Sequence, residues 1–166
     1  MDRMRKITIA AVQSKSIKGD IEANVAIHTE YTRIALEYHS DVIIFPELSL
    51  TGYEPDIANK STIGINDKRL APLKSLSRQH EIIIVAGAPV ENPANKPYIG
   101  ALIIRPEDSF IYRKNYLHPG EEIYFSESKK ISGIFEVNGT KIGVAICADI
   151  NHDEHAKEAS RDGVKI

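Results

Sequence analysis

Apolar runs and helically spaced apolar positions alternate along the first half of the chain. Three runs, at residues 6–13, 41–45 and 81–87, are rich in consecutive apolar residues and predict strands, the first of them buried. Between these runs, side chains recur near helical spacing and predict two helices: Ile21, Val25, Thr32 and Leu36 in the first, and Leu70, Leu73 and Leu76 in the second. Asp20 is the predicted N-cap of the first helix, and Asn66 or Asp67 that of the second. This alternation predicts an α/β fold.

Turn signals divide the second half of the chain into hairpins. Residues 98–104 and 110–114 predict two strands joined by the turn Arg105-Pro106-Glu107-Asp108. Residues 133–137 and 140–147 predict another hairpin across Asn138-Gly139, a dipeptide that favours tight turns. A short helix is predicted over residues 154–161. The sequence contains no repeat, low-complexity tract or linker, which indicates a single domain.

Three residues with complementary chemistry lie at predicted strand ends. Glu47 follows the strand 41–45, Lys114 ends the strand 110–114, and Cys147, the only cysteine of the chain, ends the strand 140–147. A cysteine is chiefly nucleophilic as the thiolate, so a catalytic one needs a base for its proton and a cation to stabilise developing negative charge. Glu47 and Lys114 can supply these two functions. Taken singly, the three residues also fit a core cysteine, a loop carboxylate and a solvated strand-edge lysine.

The motifs around these residues resemble those of the nitrilase, or carbon-nitrogen hydrolase, superfamily. The matching residues are Pro46-Glu47 with Thr51-Gly52-Tyr53, Tyr112-Arg113-Lys114 with Leu117, and Ile146-Cys147 with Asp149. The resemblance covers nearly the whole chain. It implies that Glu47 is the general base, Lys114 the stabiliser of the tetrahedral intermediate, and Cys147 the nucleophile.

Two further roles follow from the same resemblance. Glu121, which precedes the pair Tyr124-Phe125, matches a second glutamate that orients the lysine, although the neighbouring Glu122 is an alternative. The backbone N–H of Ala148 is expected to join Lys114 in holding the oxyanion. The implied reaction is hydrolysis of a non-peptide C–N bond in a small linear amide or N-carbamoyl compound, through a Cys147 thioester that releases ammonia or an amine. No cofactor is implied, and an amide or carbamoyl substrate is favoured over a nitrile.

Two long irregular segments, residues 52–65 and 115–131, flank the proposed catalytic residues. They mix aromatic residues, Gly, Pro and charge, and loops of this length in a compact domain tend to be functional. By analogy with the family, the two segments would shape a substrate pocket. The candidate wall residues are Tyr53, Tyr116, His118 and Tyr124, with surface packing as the alternative for each.

A zinc-dependent hydrolase is the alternative enzyme. His152 and His155 stand three residues apart among the carboxylates of Asp149, Asp153 and Glu154, and histidine with carboxylate is a plausible set of zinc ligands. The order His-Asp-Glu-His differs from the zincin helix, in which the histidines stand four residues apart. We therefore predict no metal site.

Composition narrows the class of protein and its partners. The chain has 166 residues, of which 42% are hydrophobic and 27% charged, as in an ordinary globular domain with its own core. The net charge of −2 argues against a nucleic-acid or anionic-membrane partner. One cysteine excludes an internal disulfide framework and favours a reducing compartment, so a cytoplasmic location is predicted. The charged residues 1–6 precede only a short apolar run, which predicts neither a signal peptide nor a membrane span.

The resemblance also predicts the architecture and its extent. It implies a four-layer α-β-β-α sandwich of the nitrilase type, of which residues 1–166 form an incomplete carbon-nitrogen hydrolase domain that lacks the final strands and tail. Asp153 stands where the family usually has proline, whereas the following Glu154 is retained. A homodimer with a small-molecule amide or carbamoyl substrate is expected. The alternative function is a truncated, catalytically inactive member that acts as a binding or assembly partner.

Overall fold

Five strands form one mixed sheet in the order β1-β2-β3-β4-β5 in a computed structural model that describes residues 6–93, 95–128 and 133–166. The strands are β1 (Ile9–Ala11), β2 (Val42–Ile44), β3 (Ile83–Val90), β4 (Tyr98–Ile104) and β5 (Ser109–Arg113). β1, β2 and β3 are parallel, and β4 is antiparallel to both β3 and β5. β5 therefore runs in the same direction as the first three strands. The carboxyl ends of β1, β2, β3 and β5 lie at one edge, which we call the carboxyl edge.

Two helices cover one face of this sheet. Helix α1 (Ile21–Glu37) begins after Asp20, whose Oδ1 accepts a hydrogen bond from Ala23 N at 3.0 Å, as the sequence predicts for an N-cap. Helix α2 (Ala71–His80) begins later than its predicted cap. The Asp67 carboxylate instead accepts hydrogen bonds from the N–H and the guanidinium of Arg69 in a preceding 3₁₀ turn.

The two central strands, β3 and β4, bury both of their faces. Alternate residues point to opposite sides, so Ile84 and Ala86 pack among the residues of α1 and α2, whereas Ile83 and Val85 pack into a second core. Strands buried on both faces read as continuous apolar runs, which is the pattern of residues 81–87.

A hairpin closes the second core. Strands β6 (Ile134–Val137) and β7 (Thr140–Gly143) pair across Asn138 and Gly139, both in the left-handed region, and contribute Phe135, Val137 and Ile142 to that core. Helix α3 (Asp153–Arg161) lies beyond the hairpin, where His155 and Ala159 line a small cavity together with residues of β6 and β7. The layers are thus helices, sheet, hairpin and helix, as the predicted α-β-β-α order requires.

Some predicted elements have different bounds. β1 is shorter than predicted and is an outermost strand of the sheet. Its residues Ile9 and Ala11 are exposed, so the prediction that this strand is buried is wrong. β7 ends at Gly143 rather than at residue 147, and a 3₁₀ helix, Cys147–Asn151, begins at Cys147, which has a φ of 45°. Residues 129–131 of the second predicted long segment, and residues 1–5 of the charged N-terminal stretch, lie outside the described residues. In the described part of the chain, every helix is too short or too polar to cross a bilayer.

Candidate active site

Glu47 is presented by a turn that continues directly from β2. Phe45 N donates to Val85 O at 2.9 Å, and Leu50 N donates to Gly87 O at 2.9 Å, so the turn stays attached to β3 on both sides of Glu47. A Cβ at Gly87 would lie 2.4 Å from Leu48 N, which is too close for any side chain. Glycine at this position lets the turn lie on the β3 backbone and fixes Glu47 at the carboxyl edge.

A buried hydrogen-bond network supports the same turn from the helix side. His28 is stacked on Phe45 with ring centroids 3.8 Å apart, and its Nε2 lies 2.9 Å from Ser49 Oγ. Ser49 Oγ also accepts a hydrogen bond from Gly87 N at 3.2 Å. Burial lowers the pKa of His28 to about 4, so the imidazole is neutral near pH 7 and can accept the serine proton.

Lys114 follows β5 directly, and its side chain is completely buried at the carboxyl edge. Its Nζ lies 2.7 Å from Glu47 Oε1, and 3.0 and 2.8 Å from the two carboxylate oxygens of Glu121. The ammonium therefore donates to two carboxylates from segments far apart in the sequence. Burial alone would lower the Lys114 pKa, but the hydrogen bonds to Glu121 and Glu47 outweigh it and raise the pKa.

The two carboxylates differ in their electrostatic environment. Burial raises the pKa of Glu47 even though the Lys114 ammonium opposes the shift. For Glu121, burial also favours the neutral form, but the hydrogen bonds from Lys114, Tyr53 and the His118 N–H together lower its pKa. Glu47 is thus the more basic carboxylate, and Glu121 is the carboxylate whose charged form its hydrogen bonds favour.

Glu121 rather than Glu122 occupies the position beside the lysine. Glu121 is buried in the short 3₁₀ helix Glu121–Ile123 and accepts hydrogen bonds from Tyr53 OH at 2.6 Å and from His118 N at 2.7 Å. Glu122 is exposed, and its carboxylate accepts a hydrogen bond from Gly120 N.

Cys147 and Glu47 line the same small cavity. The cavity has a volume of about 120 Å³, and Gly87, Gly100 and Ala101 of the sheet are among the residues that line it. The cysteine is exposed, and among the described residues that line the cavity only Glu47 is charged. Ala148 follows in the first turn of the 3₁₀ helix, where backbone N–H groups have no partner within the helix.

Asp149 is a buried polar residue that the sequence placed in the third motif and among the carboxylates of the zinc alternative. Its carboxylate is fully buried and accepts four hydrogen bonds, three of them from backbone N–H groups. An acidic residue two positions after the candidate nucleophile was visible in the sequence, but the donors that surround it come mainly from residues more than 30 positions away.

The candidate wall residues occupy different surroundings. Tyr53 donates to Glu121, and the His118 backbone does the same, so both contact the group formed by Glu47, Lys114 and Glu121, which we call the charged cluster. Tyr116 is stacked on His152 with ring centroids 3.7 Å apart. Tyr124 is exposed.

The described residues give the zinc alternative no ligand set. Among residues 6–93, 95–128 and 133–166, no group of three or more His, Cys, Asp or Glu side chains converges so that it could hold a metal ion. His152 stacks on Tyr116, whereas His155 is buried near Tyr112, with ring centroids 6.3 Å apart.

Comparison with known proteins gives a consistent family. A family model described as carbon-nitrogen hydrolase matches residues 8–166. The chain is 33% identical to a 2-oxoglutaramate amidase of Bacillus subtilis over 134 residues, which cover 77% of this chain and 51% of the relative. It is 24% identical to an N-carbamoylputrescine amidase of Solanum tuberosum over 177 residues, covering 99% of this chain and 58% of the relative.

A solved structure agrees at the level of the fold. An amidase from Nesterenkonia sp. superposes with a TM-score of 0.84 at 20% identity, covering 98% of this chain and 64% of that protein. The chain thus spans about half the length of the two curated relatives and rather more of the solved amidase.

Proposed function

The chain belongs to the carbon-nitrogen hydrolase family, and we propose that it hydrolyses the C–N bond of a small linear amide or N-carbamoyl compound through a thioester on Cys147. The observation that carries the proposal is the charged cluster at the carboxyl edge. Lys114 Nζ lies 2.7 Å from Glu47, and Glu47 and Cys147 line one cavity. A base, a buried cation and a thiol are the groups that acyl transfer to sulfur requires.

Each group has one role in the first half of the proposed reaction. Glu47 takes the proton of Cys147, and the sulfur attacks the amide or carbamoyl carbon. The negative oxygen of the tetrahedral intermediate is held by Lys114 and by the backbone N–H of Ala148. Glu47 then returns the proton to the leaving nitrogen, the C–N bond breaks, and ammonia or an amine departs.

The second half uses the same base. Glu47 removes a proton from water, which attacks the thioester carbon, and the C–S bond then breaks as the sulfur recovers its proton from Glu47. The raised pKa of Glu47 suits a group that must accept and donate a proton in each half-reaction. Glu121 would keep Lys114 charged and oriented throughout.

A substrate screen tests this proposal. The purified protein, with any sequence that its reading frame adds to this chain, would be assayed for ammonia release from short primary amides, 2-oxoglutaramate and N-carbamoylputrescine. We expect turnover of at least one compound and a loss of at least about 1,000-fold in Cys147→Ala. Turnover that persists in Cys147→Ala and disappears on chelation would instead support a metal hydrolase, and a folded protein that turns over none of the three classes would support a binding role.

We further propose a homodimer and a reducing, cytoplasmic location. The expectation of a dimer comes from the resemblance to the family. Helix α1 and its C-cap residue offer support, because Tyr31, Ile34 and the C-cap Tyr38 expose large apolar surfaces that an assembly could cover. Light scattering coupled to size-exclusion chromatography would measure the mass, and a monomer at micromolar concentration would contradict the dimer.

A further inference from the structure

We propose that Asp149 is a positioning residue that holds the Cys147 turn against the end of β5 that carries Lys114. The inference rests on the proposed function for its kinetic consequences, but its structural basis is independent. Asp149 is fully buried, and each of its carboxylate oxygens accepts two hydrogen bonds.

The two oxygens bind different segments. Oδ1 accepts from Asn115 N at 3.0 Å and Tyr116 N at 2.9 Å, the two residues that directly follow Lys114. Oδ2 accepts from Ile146 N at 2.9 Å, the residue before Cys147, and from Tyr112 OH at 2.6 Å. One carboxylate therefore connects the backbone beside the cation to the backbone beside the nucleophile.

The local backbone explains why such a connection is needed. Cys147 has a φ of 45°, in the left-handed region that a residue with a side chain seldom adopts. Such a conformation persists where surrounding contacts hold it, and the bond from Ile146 N to Asp149 Oδ2 closes the turn on either side of Cys147. Without Asp149, both the turn and the segment after Lys114 would lose their shared anchor.

The negative charge of Asp149 also affects the pKa of Glu47. Within the described residues, no Lys or Arg forms an ion pair with Asp149, and its carboxylate accepts the four hydrogen bonds described above. The charge contributes, after burial and alongside Glu121, to the raised pKa of Glu47. Removing it should lower the Glu47 pKa and extend activity to lower pH.

The kinetic test compares three variants in the full-length protein. Asp149→Asn removes the charge and replaces one acceptor, Tyr112→Phe removes one donor and keeps the charge, and Asp153→Asn removes an exposed carboxylate four residues away. We expect kcat to fall about 100-fold in Asp149→Asn with KM changed by less than about threefold, because misplacement of reacting groups by about 1 Å can have this effect. The acid limb of the pH profile should move to lower pH in that variant only.

The other two variants complete the comparison. Tyr112→Phe should lose several-fold in kcat without a shift of the acid limb, and Asp153→Asn should match the wild type. A folded Asp149→Asn protein with wild-type kcat and an unmoved acid limb would overturn the proposal. If Asp149→Asn does not fold, Tyr112→Phe decides, and a wild-type kcat in that variant would equally overturn it.

Hydrogen exchange separates this proposal from the proposed function. The amides of Asn115, Tyr116 and Ile146 donate to Asp149, so their exchange should accelerate about tenfold or more in Asp149→Asn, while amides within α2 should exchange as in the wild type. If the wild type hydrolyses no amide, the proposed function fails, yet accelerated exchange would still support the anchoring role. Unchanged exchange at all three amides would contradict that role whatever the activity.

Discussion

Charged residues lie at both ends of the strands of the five-stranded sheet, at the carboxyl edge and at the edge opposite to it. The burial of these charged side chains differs greatly between the two edges. At the carboxyl edge lie Lys114, Glu121 and Asp149, the Lys, Asp and Glu side chains that are buried among the described residues. At the other edge, a cleft of about 710 Å³, which we call the opposite-edge cleft, is lined by charged or titratable side chains that include His39, Asp41, His80, Glu81, Arg105 and Glu107. The cavity beside Cys147 is about one-sixth of that size.

This contrast shows that volume is a poor guide to chemistry in this fold. In the opposite-edge cleft, the ion pair of Arg105 with Asp108 is open to water, with 67% of the Asp108 side chain exposed, and such pairs stabilise a protein little. At the carboxyl edge, Lys114 is shielded from water and its hydrogen bonds have fixed geometry, so its charge acts strongly on neighbouring groups. The smaller cavity is therefore the candidate active site.

The largest expected effect comes from removing the cation at each edge in turn. Lys114→Met would leave Glu47 and Glu121 without a counter-ion, and we expect a loss of about 3–5 kcal/mol in the free energy of unfolding together with undetectable turnover. Arg105→Met is the matched control, with an expected loss below about 1 kcal/mol and unchanged kcat. Denaturant unfolding measures the free energy of unfolding of the two variants, and the amide assay measures their turnover. Equal losses of stability in the two variants would remove the contrast between the edges.

A smaller effect is expected when a histidine is replaced. It concerns how the free energy of unfolding depends on pH. The His28 pKa falls to about 4 in the folded protein from about 6.5 when unfolded, so the unfolded state binds more protons between these values. Stability should therefore fall as the pH drops from 6.5 to 4, and His28 should account for about 3 kcal/mol of that fall.

Two glutamine variants isolate this contribution. His28→Gln should flatten the pH dependence of the unfolding free energy over this window, whereas His80→Gln, at the exposed end of α2 in the opposite-edge cleft, should keep it. Unfolding measured at several pH values between 4 and 7 is the test. A wild-type slope in His28→Gln would show that this histidine is not held neutral behind the Glu47 turn.

The smallest expected effect concerns the hydroxyl that reaches the charged cluster. Tyr53→Phe would remove the 2.6 Å hydrogen bond to Glu121 while keeping the ring, and we expect kcat to fall about tenfold, as for the loss of one hydrogen bond to a charged group. Tyr38→Phe, at the exposed end of α1, is the control and should match the wild type. If Tyr53→Phe raises KM alone, Tyr53 contacts the substrate rather than orienting the cluster.

The sequence could predict the meeting of Glu47 with Lys114 because both follow strands. Once β5 is parallel to β2, the ends of the two strands lie at one edge, and the apolar runs locate those ends to within one or two residues. Glu121 follows Lys114 by only seven residues, so the turn between them keeps it near. These placements depend on local patterns and on strand direction.

Other features of the site could not be read from patterns. The bond from Tyr53 to Glu121 joins residues 68 positions apart in irregular segments that have no periodicity. The left-handed backbone at Cys147 could not be predicted either, because the apolar run that begins in β7 continues to this residue and gives no turn signal. The four bonds of Asp149 depend on where the segment after β5 meets the hairpin, which only tertiary packing determines.

The most direct test of the central claim is the mass of the covalent intermediate. Because Cys147 is the only cysteine of the chain, a reaction with a turned-over amide, quenched in acid and analysed by mass spectrometry, should show one added acyl group on the peptide that contains residue 147, and none in Cys147→Ala. An acyl group on another residue, or full turnover without any acylated Cys147, would contradict the account.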